Sequence, residues 1–412
     1  MSIYTEKLLN EIDKKDIPLI PNQLERIGSI FNIVQARYTL IGSISGVGKT
    51  SYVDDSFILK PFEWLRSTKS KIHFEGLYYS MERRLKFKLA KFASWKLFED
   101  KGIRISGETI SGNNKPPRDE NGNIIGNPKF YRELTKDERK LIGSYTPWMD
   151  ELLDLIEIKD GAKTISEIVS DIENLRRRLG TLITTDNTTL YQEGVPKKQF
   201  SGETKNTKKG NVSIITFTYK NKVYTMKQND KLYIPNNPNM IVYIVIDHVG
   251  KIKLDGYNTK KQSIDALDEI LTEARDIYGF NPIVISQFNR SLSDITRMKY
   301  SKGNLEPMYE DFKETGNPVE SADLVLSLFN PYKYQSYDDK GQYKGYNIKH
   351  GLLTPGGSQR FRSLHILKNS FGIDQITFGL RFTGESMYFS TLPHPDDLNN
   401  LAKVYEDIAI GN

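Results

Sequence analysis

An eight-residue segment from Ser43 to Thr50 contains the residue types that bind phosphate groups. It has glycines at positions 46 and 48, followed directly by Lys49 and Thr50. Backbone N–H groups of such a turn can surround phosphate oxygens, the lysine can reach the β- and γ-phosphates, and the threonine hydroxyl can bind Mg²⁺. Ser43 stands at the first glycine position of the strict pattern, and a solvated glycine-rich turn is the alternative interpretation. An apolar strand over 37–41 and a helix from Ser51 favour nucleotide binding, because the motif requires that context.

Three polar side chains follow other predicted strands and extend this site. Asp247 ends the most apolar strand in the chain, and an acid at that edge of a parallel sheet can hold Mg²⁺ directly or through water. The alternative for Asp247 is a cap on the next helix. Glu82 follows the strand 77–80 and could activate a water molecule as a general base, although most glutamates are surface charges. Gln287 follows the strand 282–286 and could hydrogen-bond a γ-phosphate, or could simply end that strand.

The elements that must position these residues alternate between strands and helices. This alternation predicts an α/β fold with a mainly parallel twisted sheet flanked by helices, followed by late antiparallel strands near 363–367 and 375–382. Two segments interrupt the pattern. One, about 106–132, is rich in Gly, Asn and Pro. The other, about 191–240, carries nine lysines against three acids and contains a predicted β-hairpin. This second insertion could add nucleic-acid contacts, or could be a solvated hairpin.

Composition narrows the class of protein. The chain has 412 residues, a net charge of +6 and no cysteine, which excludes disulfides, thiolate nucleophiles and cysteine-ligated zinc. The longest strongly apolar run, Met240–Ile246, is far shorter than the ~20 residues of a membrane span. We therefore expect no membrane association and an intracellular location. The mildly basic balance is compatible with a polyanionic partner.

Six segments, in this order along the chain, resemble the RecA-type motor core of DnaB-type replicative helicases. The first four are Ser45–Thr50, Tyr79–Glu82, Val245–His248 and Ile285–Leu292. The fifth, Glu306–Gly316, resembles the DNA-facing loop of that family and continues to Asp323. The sixth, Leu364–Asn369, resembles the strand that reaches the ATP of a neighbouring subunit. The resemblance extends from roughly residue 20 to residue 390, with interruptions at the insertions.

The resemblance implies a RecA-like fold and an ATP-dependent DNA helicase or translocase that moves along single-stranded DNA in replication. It implies ATP and Mg²⁺ as cofactors, a homo-oligomeric ring that is expected to be a hexamer, and a primase or loader as a further partner. It also implies a cytoplasmic location, in a bacterial cell or a phage-infected host. The residues it places at the nucleotide are Ser45, Gly46, Val47, Gly48, Lys49, Thr50, Ser51 and Asp247, with Thr50 and Asp247 at the metal. The residues it places in catalysis are Glu82, Gln287 and Lys368, and those at DNA are Arg290, Lys313, Glu314 and Gly316.

The sequence also departs from that family. Ser370 stands where the family has an arginine finger; Arg360 and Arg362 could substitute for it, or could form a charged outer face. The expected division is a helical preface or linker over 1–36, an ATPase core over 37–395 and a helical tail over 396–412. No counterpart of the family's helical N-terminal domain is expected.

Two other functions are compatible with the sequence. One is a RecA-like DNA-binding ATPase that acts in recombination or helicase loading without unwinding DNA. The other is a DNA-packaging motor. It is the weaker candidate, because the acids after Asp323 show no paired strand-end arrangement that would suit a nuclease.

Overall fold

The structure, a computed structural model, describes residues 18–113, 132–186, 189–193, 205–209, 212–220, 222–289, 297, 301, 305–312, 316–349 and 360–410. Its strands are β1 (Leu19–Ile20), β2 (Ile33–Val34), β3 (Thr39–Ser43), β4 (His73–Ser80), β5 (Ile156–Asp160), β6 (Gly180–Asp186), β7 (Thr189–Gln192), β8 (Lys205–Lys209), β9 (Val212–Tyr219), β10 (Lys222–Lys227), β11 (Lys231–Pro235), β12 (Met240–Asp247), β13 (Asn281–Gln287), β14 (Leu324–Phe329), β15 (Gln342–Tyr343), β16 (Tyr346–Asn347), β17 (Phe361–Asn369), β18 (Ile376–Thr383) and β19 (Tyr388–Thr391).

The helices alternate with these strands along most of the chain. They are α1 (Glu25–Gly28), α2 (Lys49–Val53), α3 (Lys60–Thr68), α4 (Leu85–Lys101), α5 (Gly107–Ser111), α6 (Lys136–Gly143), α7 (Thr146–Leu155), α8 (Ile165–Leu179), α9 (Lys260–Asp276), α10 (Gly316–Ser321) and α11 (Leu398–Ile410). A π-helical segment, Asp54–Leu59, joins α2 to α3 without a break.

A nine-stranded sheet lies at the centre of the described part of the chain, in the order β19-β18-β17-β14-β3-β13-β12-β4-β5. The strands from β14 to β5 run parallel, and β17, β18 and β19 add an antiparallel extension. All eight residues of β12 are buried, as expected for a continuous apolar strand covered on both faces. The predicted α/β fold with late antiparallel strands is confirmed.

Helices cover both faces of the sheet. On one face, α8 and α9 pack through residues such as Ile172 and Leu271. On the other face, the helices from α2 to α4, with α7, bury Tyr52, Trp95 and Trp148. Amphipathic helices on opposite sides leave the carboxyl edge of the parallel strands free for a binding site.

Residues 18–36 differ from the helical preface that the sequence predicts. They form β1, the single turn α1 and β2, and β1 pairs with β2. Ile20, Ile27 and Ile33 are buried in the same apolar cluster as the central sheet. This segment is therefore packed into the core, because its isoleucines find a partner surface there that sequence spacing could not reveal. Residues 1–17 lie outside the described part.

The lysine-rich insertion is a separate β unit between α8 and β12. It contains two three-stranded antiparallel sheets, β11-β6-β7 and β10-β9-β8, which share a small core that includes Ile183, Phe217 and Ile234. The predicted hairpin is present as β9 and β10. In the other insertion the structure describes α5 and the residues up to 113, whereas 114–131 lie outside the described part.

Candidate nucleotide-binding site

The site is built where four neighbouring parallel strands end. In the sheet register Ser43 pairs with Gln287, and Asp247 pairs with both Ile285 and Ser80. The backbone N–H of Met81 donates to the carbonyl oxygen of Asp247 at 2.6 Å, which holds the chain just before Glu82 against the end of β12. The strands that carry the four sequence-predicted segments are thus adjacent at one edge of the sheet.

The turn after β3 has the backbone conformation that the glycines permit. Gly46 and Gly48 have φ values of +80° and +107°, which side chains with a Cβ rarely adopt. Gly48 caps the N-terminus of α2, and its carbonyl oxygen accepts from the N–H of Tyr52 at 2.8 Å. The free N–H groups at this helix start and its positive dipole end favour an anion.

Thr50 and Asp247 meet in front of this turn. The Thr50 hydroxyl donates to Oδ1 of Asp247 at 3.0 Å, although the two residues are 197 positions apart. A hydroxyl and a carboxylate that leave coordination positions for phosphate oxygens and water suit Mg²⁺, which is held by few protein ligands in nucleotide sites. The residues present therefore fit the metal that the sequence implies.

Lys49 lies close enough to Glu82 and Asp247 for their negative charges to act on it. Burial lowers the pKa of Lys49, and the negative charges of Glu82 and Asp247 oppose that shift. Burial and the neighbouring Lys49 lower the pKa of His248, next to Gln287. An anionic phosphate beside Lys49 would stabilise its charged form, as an opposite charge does for any buried ammonium. Ser51, which follows Thr50 in the sequence, is also buried.

A buried polar cluster that the sequence did not indicate supports Asp247 from behind. The ammonium of Lys88 lies 2.7 Å from Oδ1 of Asp54 and 3.9 Å from Oδ2 of Asp247. The hydroxyl of Tyr78 donates to Asp54 at 2.9 Å and contacts Lys88. Asp54 and Asp55 interrupt the apolar stretch 52–59, which is a signal that could have pointed to a buried carboxylate, since charged groups enter a core only when they are paired. Lys88 is one of five lysines on α4, so the sequence gives no such signal for it.

No protein-family model matches the sequence, and no curated protein matches it. A solved ATPase domain of a helicase is similar in structure, with a TM-score of 0.56 and 14% identity over 95% of this chain and 98% of that one. A second similar structure is that of a DnaB-like replicative helicase, described together with its interactions with primase. It has a TM-score of 0.57 and 14% identity over 95% of this chain and 68% of that one.

The chain has a RecA-like fold. The nine-stranded sheet and these two structural likenesses show that the chain shares the fold of the two solved proteins. Among the described helices none is both long enough and apolar enough to cross a membrane.

Side chains of β17 and β18 in the RecA-like core pack against the phosphate turn. Nε of Arg362 donates to the carbonyl oxygen of Val47 at 2.7 Å, and its guanidinium lies 5.1 Å from the ring of Phe382. A Cβ at Gly48 would lie 3.1 Å from that same ring. Arg362 is 6% exposed, so it positions the turn of its own chain instead of projecting from a charged outer face.

The other candidate cations of the RecA-like core also have partners within the chain. Arg360 lies 3.3 Å from a carboxylate oxygen of Glu385. The ammonium of Lys368 donates to the carbonyl oxygen of Glu320 at 2.8 Å. Ser370, which the sequence resemblance places at the position of an arginine finger, is exposed. Both arginines lie at the start of β17, at the opposite end of the strand from Ser370, and each has a partner within the chain.

The predicted DNA-facing residues fall mostly outside the described part. Arg290, Lys313 and Glu314 lie outside it, and Gly316 is the first residue of α10. The chain on either side is described: the rings of Phe288 and Phe312 contact each other edge to face at 4.7 Å. This contact joins the end of β13 to the segment that leads to 313–316.

Proposed function

We propose that this chain is an ATP-dependent DNA helicase or translocase of the DnaB type, which hydrolyses ATP at subunit borders to move along single-stranded DNA in replication. The observation that carries the proposal is the 3.0 Å contact between Thr50 and Asp247 at the mouth of a glycine turn that opens a helix. The fold likeness to a DnaB-like replicative helicase supports it. Such a protein acts in the cytoplasm of a bacterial or phage-infected cell.

In this proposal the phosphate turn binds ATP. The backbone N–H groups from Ser45 to Ser51 surround the β- and γ-phosphates, and Lys49 neutralises part of their charge. Thr50 and Asp247 hold Mg²⁺, which neutralises the phosphate oxygens when it is bound. The buried position of Lys49 strengthens its interaction with phosphate, because the local dielectric is lower than that of water.

Hydrolysis then requires an activated water molecule. Glu82 is exposed at the same edge and accepts a proton from the water as its oxygen forms a bond to the γ-phosphorus. The bond between the γ-phosphorus and the bridging oxygen breaks, and the electron pair stays with ADP. The products are ADP and inorganic phosphate.

Coupling to DNA follows from the position of Gln287. It ends β13, pairs with Ser43 in the register and is followed by Phe288, which contacts Phe312. Loss of the γ-phosphate changes the hydrogen bonding of Gln287, and the Phe288–Phe312 contact transmits that change to the segments that carry Arg290, Lys313, Glu314 and Gly316. Backbone amides and a lysine in such loops follow phosphates without selecting bases.

The proposed assembly is a homo-oligomeric ring, expected to be a hexamer. In it Lys368, near the end of β17, approaches the nucleotide of the neighbouring subunit. A primase or a loader is the further partner proposed for the ring.

The first test is ATP hydrolysis with and without single-stranded DNA. We expect activity that DNA stimulates, and we expect Lys49→Ala and Asp247→Asn each to reduce it at least about 100-fold, because each removes several kcal/mol of charge stabilisation. Lys340→Ala, an exposed lysine in the turn before β15, is the matched control and should retain activity. A wild-type protein that stays monomeric and hydrolyses ATP at the same low rate with DNA would contradict the proposal.

A second candidate is a RecA-like DNA-binding ATPase with a recombination or loading role and no unwinding. The observation that favours it is the neutral Ser370 together with the internal engagement of Arg362, because a trans-acting arginine is a large part of motor ATPase rates. A strand-displacement assay separates the two: unwinding of a forked duplex supports the helicase, whereas ATP-dependent DNA binding or helicase loading without unwinding supports the alternative.

A further inference from the structure

The connection after β14 places a second lysine over the phosphate turn. The ammonium of Lys333 donates to the carbonyl oxygen of Ser45 at 3.3 Å. It also lies 3.9 Å from the point that a Cβ on Gly46 would occupy. Lys333 is therefore beside Ser45 and Gly46, which are exposed residues of the turn.

The backbone of this connection is anchored, so the lysine is held in place at its base. The backbone N–H of Lys333 donates to the side-chain oxygen of Asn330 at 3.2 Å, and the N–H of Ser336 donates to the carbonyl oxygen of Pro331 at 2.9 Å. The ring of Tyr334 stacks on Phe329, the last residue of β14, at 5.5 Å. Because β14 pairs with β3, the strand that leads into the turn, the connection and the turn share one framework.

The side chain itself is exposed and carries three N–H donors, of which the contact with Ser45 uses one. A flexible ammonium at the rim of a phosphate turn can move by a few ångströms toward an anion without disturbing the fold. Lys333 differs in this from Arg362, which is buried under the same turn and donates to Val47.

We propose that Lys333 is a catalytic cation that acts in cis: it contacts the γ-phosphate of the ATP bound by its own chain and stabilises the charge that develops during hydrolysis. The proposal rests on the ATP hydrolysis put forward above. Water still attacks the γ-phosphorus, its proton still goes to Glu82 and the bridging oxygen leaves with ADP; Lys333 stays protonated. A finger supplied in cis makes the neutral Ser370 at the expected trans position compatible with ATPase activity.

The first experiment compares Lys333→Met with Lys333→Arg and with the control Lys340→Met. We expect Lys333→Met to lower kcat by about 100-fold, the usual effect of removing one donor to a transition-state charge. Lys333→Arg should retain most of the rate, and Lys340→Met should match the wild type. ATP affinity, measured by equilibrium binding of a fluorescent ATP analogue, should change little in Lys333→Met, whereas trapping of ADP with aluminium fluoride should be lost.

The outcomes separate this role from a structural one. If Lys333 only tethers the turn through Ser45, Lys333→Met weakens ATP binding and leaves kcat unchanged, and the proposal is overturned. If wild-type protein hydrolyses ATP and Lys333→Met does so equally well, the proposal also fails while the proposed function stands. If the wild type does not hydrolyse ATP, the proposed function fails first and the role of Lys333 fails with it.

A mixing experiment tests the cis geometry. Lys333→Met chains have an intact phosphate turn, and Lys49→Ala chains have an intact Lys333. If Lys333 acts on its own chain, a mixture of the two contains no complete site and stays inactive at every ratio. Recovery of ATPase activity in the mixture would show that Lys333 reaches a neighbouring nucleotide, and would overturn the assignment in cis.

Discussion

Lys88 carries a charge into the interior of the molecule, where it is 2% exposed. Its ammonium pairs with Asp54 at 2.7 Å and lies near Asp247, so one cation faces two carboxylates. Burial raises the pKa of Asp54, and the charge of Lys88 opposes that shift. The pair therefore makes it possible for a carboxylate to remain charged directly behind the proposed metal ligand.

Removing this cation should destabilise the protein. We expect Lys88→Met to lower the free energy of unfolding by about 3–5 kcal/mol, because it leaves a buried carboxylate without a partner. Urea unfolding followed by tryptophan fluorescence measures the change. The double variant Lys88→Met, Asp54→Asn removes the stranded charge and should recover much of the loss. Equal stability of Lys88→Met and the wild type would show that the pair does not compensate buried charge.

His365 lies in β17 with both ring nitrogens engaged by hydroxyl groups. Nε2 is 2.9 Å from the Ser363 hydroxyl and Nδ1 is 3.1 Å from that of Thr377. Burial, with a smaller contribution from the positive charge of Lys344, lowers the pKa of His365 to about 3. Nδ1 also lies 4.0 Å from a carboxylate oxygen of Glu306. The imidazole is therefore neutral in the folded protein at ordinary pH.

This shift predicts a pH dependence of stability. The unfolded chain protonates His365 below its ordinary pKa of about 6.5, whereas the folded chain does not until about pH 3. Protonation of His365 in the unfolded chain therefore leaves the free energy of unfolding unchanged well above pH 6.5. As the pH falls below 6.5, it lowers that free energy by up to about 1.4 kcal/mol per pH unit. Between pH 6.5 and 5, where few carboxylates titrate, His365→Gln should show a flatter decline than the wild type in urea unfolding. Parallel pH profiles would contradict the assignment.

At the scale of elements, β3, the strand that leads into the phosphate turn, has two aromatic rings packed against its backbone at Gly42. A Cβ at this position would lie 2.3 Å from ring atoms of both Phe288 and Phe312. The two rings pack directly against the strand backbone, one residue before Ser43. The strand thus needs glycine here for packing, and the requirement comes from residues far along the chain.

Filling that space should disturb the whole edge of the sheet. We expect Gly42→Ala to destabilise the protein by about 1–3 kcal/mol, as overpacking does, and to lower ATPase activity because the rings shift at the end of β13. Thermal unfolding and the ATPase assay measure both effects. Gly143→Ala, at the end of α6 with no atom within 4 Å of the new Cβ, is the matched control and should be neutral or stabilising by up to about 1 kcal/mol. A neutral Gly42→Ala would contradict the close packing.

At the scale of the whole molecule, the lysine-rich insertion joins the core through a two-stranded ladder and through an ion pair between Glu193 and Arg176 of α8. β6 pairs with β11, so the chain enters and leaves the insertion side by side. Leu182 and Tyr233 of these strands face the main core, whereas Ile183 and Ile234 face the core of the insertion. The ladder therefore belongs to the core, and the rest of the insertion packs on its other side.

The outer part of the insertion should be removable. In the test variant, Asn-Gly replaces residues 186–229, since an Asn-Gly turn closes a two-residue hairpin. Ile183→Thr and Ile234→Thr make the newly exposed face of the ladder more polar. We expect this chain to fold and to keep ATPase activity within about threefold of the wild type. Circular dichroism and ATP hydrolysis measure this. A deletion that also removes Leu182 and Tyr233 should destabilise the core. Loss of folding in the shorter deletion would show that the insertion stabilises the core.

The sequence determined the features that depend on short-range patterns. Apolar runs such as the one in β12 predict buried parallel strands, and Gly46, Gly48, Lys49 and Thr50 predict a phosphate turn, because backbone sterics and turn chemistry act over a few residues. The order of the strand-end residues Glu82, Asp247 and Gln287 followed from the same patterns. Their proposed roles in catalysis stay predictions.

Tertiary structure alone decided which distant groups surround that turn. Arg362 contacts Val47 across 315 residues, and Lys333 contacts Ser45 across 288. Residues 18–36 packed into the core, although the sequence predicted a helical preface or linker over 1–36. No periodicity encodes such contacts, since they depend on which strands the sheet brings together and on how side chains from separate elements fill the space between them.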